Sequence, residues 1–173
     1  MIKYAVSRRP RIMFVGINPH YGSYRRGVPF SNNKMFWYLL NRSGIIDESM
    51  DDLKRDESLR RIYKSRFAQT YNLNFTNIIT RPSRTVAQLR KGEELPGRLR
   101  IARLISECRP KVVCFIGKIT YMKFTGNSDF GFGWQKGIGG SRVYVMHFPI
   151  RGMASIRLRE LREVGRAAGI LGR

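Results

Sequence analysis

A chain of 173 residues with 42% hydrophobic and 12% aromatic content is long enough to bury one sizeable core and too apolar for a disordered tail. No apolar run approaches a membrane span, and the opening Met1-Ile2-Lys3-Tyr4-Ala5-Val6-Ser7-Arg8-Arg9 lacks the apolar centre of a secretory signal. The expectation is therefore one domain over residues 1–173, soluble, monomeric and intracellular (cytoplasm or nucleoid, or nucleus), with no membrane partner.

In chain order, Arg11-Ile12-Met13-Phe14-Val15-Gly16 reads as a buried strand closed by glycine and an Asn-Pro turn. Phe36, Leu39 and Leu40 followed by Ser43-Gly44 fit an amphipathic helix stopped by glycine. Leu59, Ile62, Tyr63 and Phe67 mark another helix. Phe75-Thr76-Asn77-Ile78-Ile79 is the second predicted strand, ended by Arg81-Pro82-Ser83. Pro96-Gly97 precedes a helix with Ile101, Leu104, Ile105 and Cys108 on its apolar face. Val112 to Gly117 is the clearest buried strand, Tyr121 to Phe124 a short helix, and Gly126 to Gly140 a glycine-rich excursion. Val143-Tyr144-Val145-Met146 forms a fourth strand, and Leu158, Leu161 and Val164 belong to a closing helix. Short apolar strands alternating with helices predict an α/β fold: a small, mainly parallel four-stranded sheet flanked by helices. Ligands gather beyond the carboxyl ends of such strands, which places a site at Gly16 to Phe30 and at His147 to Ser155.

Charge narrows the chemistry. The chain carries 33 Lys and Arg against 12 Asp and Glu, a net charge of +21, which attracts a polyanion, nucleic acid ahead of an acidic membrane surface. No acid occurs from Met1 to Ile46, and from Cys108 to Arg159 the only carboxylate is Asp129. Acids cluster instead in one helix-like stretch holding Asp47, Glu48, Asp51, Asp52, Asp56 and Glu57. Paired-carboxylate hydrolysis and acidic metal clusters are thus poor readings. Two cysteines, Cys108 and Cys114, are too few for an iron–sulfur cluster and form no Cys-x-x-Cys pair. They read as buried small hydrophobes, and no metal or cofactor is expected.

In Gly16-Ile17-Asn18-Pro19 the proline pushes Asn18 toward an extended backbone and projects its amide from a rigid turn. Such an amide orients a water without fully deprotonating it. This turn, followed by Ser23, Gly27-Val28-Pro29-Phe30, Phe36-Trp37 and Ser43-Gly44, resembles the mismatch-specific uracil-DNA and thymine-DNA glycosylase family of the uracil-DNA glycosylase superfamily. Thr76-Asn77-Ile78-Ile79-Thr80-Arg81-Pro82, Phe115-Ile116-Gly117-Lys118 and Val145-Met146-His147-Phe148-Pro149 with Gly152-Met153 continue the resemblance in order along nearly the whole chain.

The resemblance implies a monofunctional DNA glycosylase of base excision repair. Such an enzyme hydrolyses the N-glycosidic bond of a flipped-out base, uracil above all opposite guanine, with thymine or another modified base as further candidates. Its partner is DNA, either a duplex carrying U:G or a related lesion, or a single strand. Asn18 falls on the water-positioning asparagine, and Phe30 on the aromatic that stacks against the extruded base. Gly16, Ile17, Ser23 and Asn77 fall at the base pocket, where Asn77 can read the Watson–Crick edge. Gly152, Met153 and Ala154 match the wedge that fills the vacated stack. Arg25, Arg26, Arg151 and Arg157 flank these motifs as candidate phosphate ligands.

Two departures stand out. His20 replaces a glycine, and its ring can narrow the pocket mouth or contact substrate. His147-Phe148-Pro149-Ile150-Arg151-Gly152 replaces a Pro-Asn-Pro-Ser-Gly or serine-rich motif. His147 is a candidate catalytic helper that polarises a base carbonyl, although it stands one position early when Pro149 is aligned. The rival reading is a catalytically inactive, basic nucleic-acid-binding protein on the same scaffold. A zinc base deaminase needs His-x-Glu and Pro-Cys-x-x-Cys, which the sequence lacks.

Overall fold

The structure, a computed structural model, describes residues 1–4 and 6–172. Five strands form one sheet: β1 (Ile12–Gly16), β2 (Leu73–Asn77), β3 (Val112–Ile116), β4 (Gly133–Ile138) and β5 (Ser141–Met146), in the order β2-β1-β3-β5-β4. β1 pairs in parallel with β2 and β3, and β3 with β5. These are the four parallel strands the sequence predicts. The fifth, β4, runs antiparallel to β5 at the edge and lies inside the stretch read as a glycine-rich excursion. Its alternation is too weak to read as a strand, because it is half exposed and interrupted by a register shift between Gln135 and Ile138. Gly139 and Gly140, at φ 58° and 84°, turn it directly into β5, the two left-handed positions that a tight hairpin demands.

Every residue of β1, β2 and β3 is buried, as expected for strands covered on both faces. Side chains alternate between two cores. Ile12 and Phe14 of β1, Leu73 and Phe75 of β2, and Cys114 of β3 meet α2 (Met35–Ser43) and α7 (Ala154–Ala167) on one face. Met13 and Val15, with Val113 and Phe115, meet α5 (Leu95–Cys108) and α6 (Lys118–Thr125) on the other. Gly97 is what lets α5 lie so close: a Cβ there would stand 1.8 Å from the Ile78 carbonyl oxygen. Both cysteines are buried and free, as expected.

The acidic stretch is not one helix. Ser49 caps α3 (Met50–Lys54) by accepting from the Asp52 N–H at 3.0 Å, and Arg55 turns extended (φ −84°, ψ 123°) before α4 (Asp56–Ile62) begins. A π-helical turn, Tyr63–Phe67, carries α4 onward to Phe67. α1 (Tyr21–Arg26) completes the helices, directly after the Asn-Pro turn. Strand order reverses between β1 and β3, so the crevice past their carboxyl ends is the expected ligand position of an open α/β sheet. Among the described residues, no helix is long and apolar enough to cross a membrane.

Candidate active site

A cavity of ≈ 600 Å³ opens at that crevice. Ile17, Asn18, Ser23, Phe30, Asn77 and His147 all line it, drawn from the segments after β1, β2 and β5. Both segments singled out in the sequence meet here, joined by the exits of β2 and β3. Gly16 sits just behind. A Cβ on it would lie 2.4 Å from Asn77 Oδ1 and 3.3 Å from Phe75 Cζ, so the glycine allows the Asn77 amide to tuck against β1.

Asn18 is held by its amide nitrogen, which donates to Ser83 Oγ at 2.8 Å and to the Pro19 carbonyl at 3.1 Å. Ser83 belongs to the Arg81-Pro82-Ser83 exit of β2 and is itself buried. With Nδ2 committed, no described residue donates to Asn18 Oδ1, which is left as an acceptor at the cavity wall. Ser23 is buried in α1 and does not present its hydroxyl freely, since Oγ accepts from the Asn32 N–H at 3.0 Å. His20 has a local duty beside its place on the cavity wall. Its Nδ1 accepts from the Gly22 N–H at 3.1 Å, capping α1 where the sequence provides no Ser, Thr, Asp or Asn.

Phe30 adopts a left-handed backbone (φ 50°), costly for an aromatic residue. The ring is fixed by Phe36, Phe75 and Phe148, with centroids 5.0, 5.6 and 5.7 Å away. Its remaining surface faces the cavity. Asn77 is 2% exposed; its Nδ2 donates to the Tyr4 hydroxyl at 2.7 Å. Burial pushes the Tyr4 phenol up to about 12 against the lowering effect of that bond, so Tyr4 stays neutral. Tyr4 lies outside every motif in the sequence that marks the site.

His147 follows β5. Its ring stacks on Phe132 (centroids 3.6 Å apart, 18° between planes), and its Nδ1 lies 2.6 Å from Glu160 Oε1. Glu160, one residue beyond the acid-poor stretch, therefore brings a carboxylate to a site whose two segments hold almost none. A signal was present: Arg157, Glu160, Leu161 and Val164 share the buried stripe of α7, and a charge on such a stripe requires a partner. The other charged groups at the cavity are cations, Arg84, Lys118 and Arg151.

The expected phosphate ligands divide. Arg25 is exposed and borders an adjoining depression with His20, Tyr21, Arg84 and Gln88, and Arg151 is exposed at the rim. Two others are engaged within the fold. Arg26 pairs with Asp56 at 2.7 Å and donates to the Ser31 carbonyl, tying α1 to α4. Arg157 is 6% exposed, and its Nη2 donates to the Gly152 carbonyl at 3.2 Å. An excess of arginine masked which of them the acids and the fold would consume. Of the wedge candidates, Gly152 is left-handed (φ 68°), Met153 is 68% exposed and Ala154 opens α7. They stand beside the cavity rather than in its lining. The family model described as Uracil DNA glycosylase superfamily matches residues 3–155.

Proposed function

The chain belongs to the uracil DNA glycosylase superfamily, and on that premise we propose that it is a monofunctional glycosylase removing uracil from DNA, best where uracil stands opposite guanine. The observation that carries this reading is the convergence of Asn18, Phe30, Asn77 and His147 on one cavity at the β1/β3 crevice, with cations on its walls.

A base within a duplex cannot expose its glycosidic bond, and a mismatched pair is cheaper to open. Once extruded, the base exchanges its lost stacking for the face of Phe30. The Asn77 amide, held on one side by Tyr4, retains an N–H and a carbonyl oxygen for the pyrimidine edge. Asn18 Oδ1 accepts from a water and directs its oxygen at C1′. The base departs with the electron pair of the C1′–N1 bond, and the water oxygen bonds C1′. The proton that water releases accounts for the one gained by the free base. An asparagine suffices because the bond breaks ahead of nucleophile arrival. The neighbouring cations and N–H groups stabilise the anionic leaving group. Met153, exposed next to the cavity, fills the space left in the duplex.

The test is a panel of uracil, thymine, hypoxanthine and ethenocytosine, each opposite guanine and adenine and in single strands. Free uracil and an alkali-labile abasic site from U:G are expected, with no strand break before alkali. A covalent adduct trapped by borohydride would overturn the monofunctional mechanism. Failure to release any base would leave the inactive DNA-binding reading.

A further inference from the structure

Glu160 is 4% exposed and spends both carboxylate oxygens on one residue. Oε1 lies 2.6 Å from His147 Nδ1, and Oε2 accepts from the His147 backbone N–H at 2.9 Å. A carboxylate that already accepts from the backbone N–H and faces Nδ1 at hydrogen-bond distance favours a ring with its proton on Nδ1. Burial of a carboxylate is costly without a counter-charge, and among the described residues the only ion-pair partner of Glu160 is His147. The other charged and titratable neighbours do not take that place. Glu163, one turn along α7, is engaged by Trp134 Nε1 at 2.6 Å and by the Tyr144 hydroxyl at 3.1 Å. Burial first, and the negative charge of Glu160 after it, push the Cys114 thiol and the Tyr144 phenol up, so both stay neutral. Arg157 is turned to the Gly152 carbonyl, and Lys118 lies 5.0 Å from the centre of the Phe132 ring. With Nδ1 on Glu160 and one ring face on Phe132, Nε2 has no described partner, and His147 lines the cavity.

We propose that Glu160 is a positioning residue for the excision step. It holds Nδ1–H on a buried carboxylate, so that the protonated His147 ring offers Nε2–H to a carbonyl oxygen of the departing pyrimidine. The inference rests on the glycosylase reading above. No proton need move: as the base leaves with its electron pair, the neutral imidazolium–carboxylate pair meets a new anion with a fixed donor. A neutral ring held at Nδ1 would instead turn a lone pair toward that anion.

With two histidines in the chain, nitrogen-15 NMR can follow His147 alone, assigned by difference with His147→Gln. Nδ1 is expected to stay protonated across the titration while Nε2 gains and loses its proton. In Glu160→Gln the buried counter-charge and one of the two acceptors are lost, so the ring should no longer hold protons on both nitrogens or stay fixed in one orientation toward the cavity. Single-turnover release of uracil should fall as the wild-type ring loses its Nε2 proton, at the same midpoint. Glu160→Gln should slow release by about 10²-fold, the scale of a positioned acid–base group. Adding it to His147→Gln should cost nothing more, because the two act as one unit. Should Glu160→Gln fail to fold, Glu160→Asp and the wild-type NMR titration still decide the matter. An unprotonated Nδ1 in the wild type, or losses that add in the double variant, would overturn the role of Glu160 while leaving uracil release intact. Absence of uracil release from the wild type would overturn the glycosylase reading itself.

Discussion

Replacing Gly16 by alanine tests the pocket at its tightest point. The new Cβ would stand 2.4 Å from Asn77 Oδ1, whereas an unstrained C···O approach is about 3.3 Å. The amide must therefore retreat by roughly 0.9 Å. It cannot do so freely, because its nitrogen is held by Tyr4 at 2.7 Å, and Phe75 Cζ stands 3.3 Å from the same Cβ. Overpacking of this kind costs about 1–3 kcal/mol, which for a chain of this size lowers Tm by roughly 3–10 °C. The functional loss should be larger than the thermal one suggests, since a 1 Å misplacement of a positioning group can cost about 10²-fold in rate. Differential scanning calorimetry and single-turnover release of uracil from a U:G duplex read the two effects. Gly131→Ala is the control: nothing lies within 4 Å of its Cβ and its φ is not left-handed. Wild-type Tm and rate in Gly16→Ala would refute the claim that this contact holds Asn77 in place.

Asn18→Ala should lower turnover by about 10²-fold or more while DNA affinity changes little; a near-normal single-turnover rate would remove Asn18 from the mechanism. Binding should weaken steeply with salt, and Arg151→Ala should flatten that dependence by about one phosphate contact. Arg26→Ala should leave the slope alone and lower Tm instead, because its guanidinium sits on Asp56. Met153→Ala should slow excision from duplex but not from single strands, since only a duplex has a stack to fill. Phe30→Ala should slow both, by the roughly 1–3 kcal/mol of base–aromatic stacking. Equal slowing of both substrates by Met153→Ala would make Met153 a packing residue.

Much of the fold was legible in the chain because buried parallel strands announce themselves as continuous apolar runs. Val112 to Ile116 and Ile12 to Gly16 needed no partner to be recognised. The Asn-Pro turn and the aromatic at Phe30 were legible for a similar reason, since local backbone chemistry and motif order place them at one sheet end. β4 escaped because an exposed edge strand rich in glycine has neither a continuous run nor clean alternation. Tyr4 and Ser83 escaped for a different reason. Their roles exist only through partners that are distant in the chain, 73 positions away for Tyr4 and Asn77 and 65 for Ser83 and Asn18. Likewise, sequence alone determined that arginine was abundant near the motifs, and tertiary structure decided which arginines remained free. Arg26 was taken by Asp56 and Arg157 by the Gly152 carbonyl, whereas Arg25 and Arg151 stayed exposed. Periodicity and turn chemistry are properties of neighbours along the chain, but a charge or an amide finds its partner only when folding brings the two together.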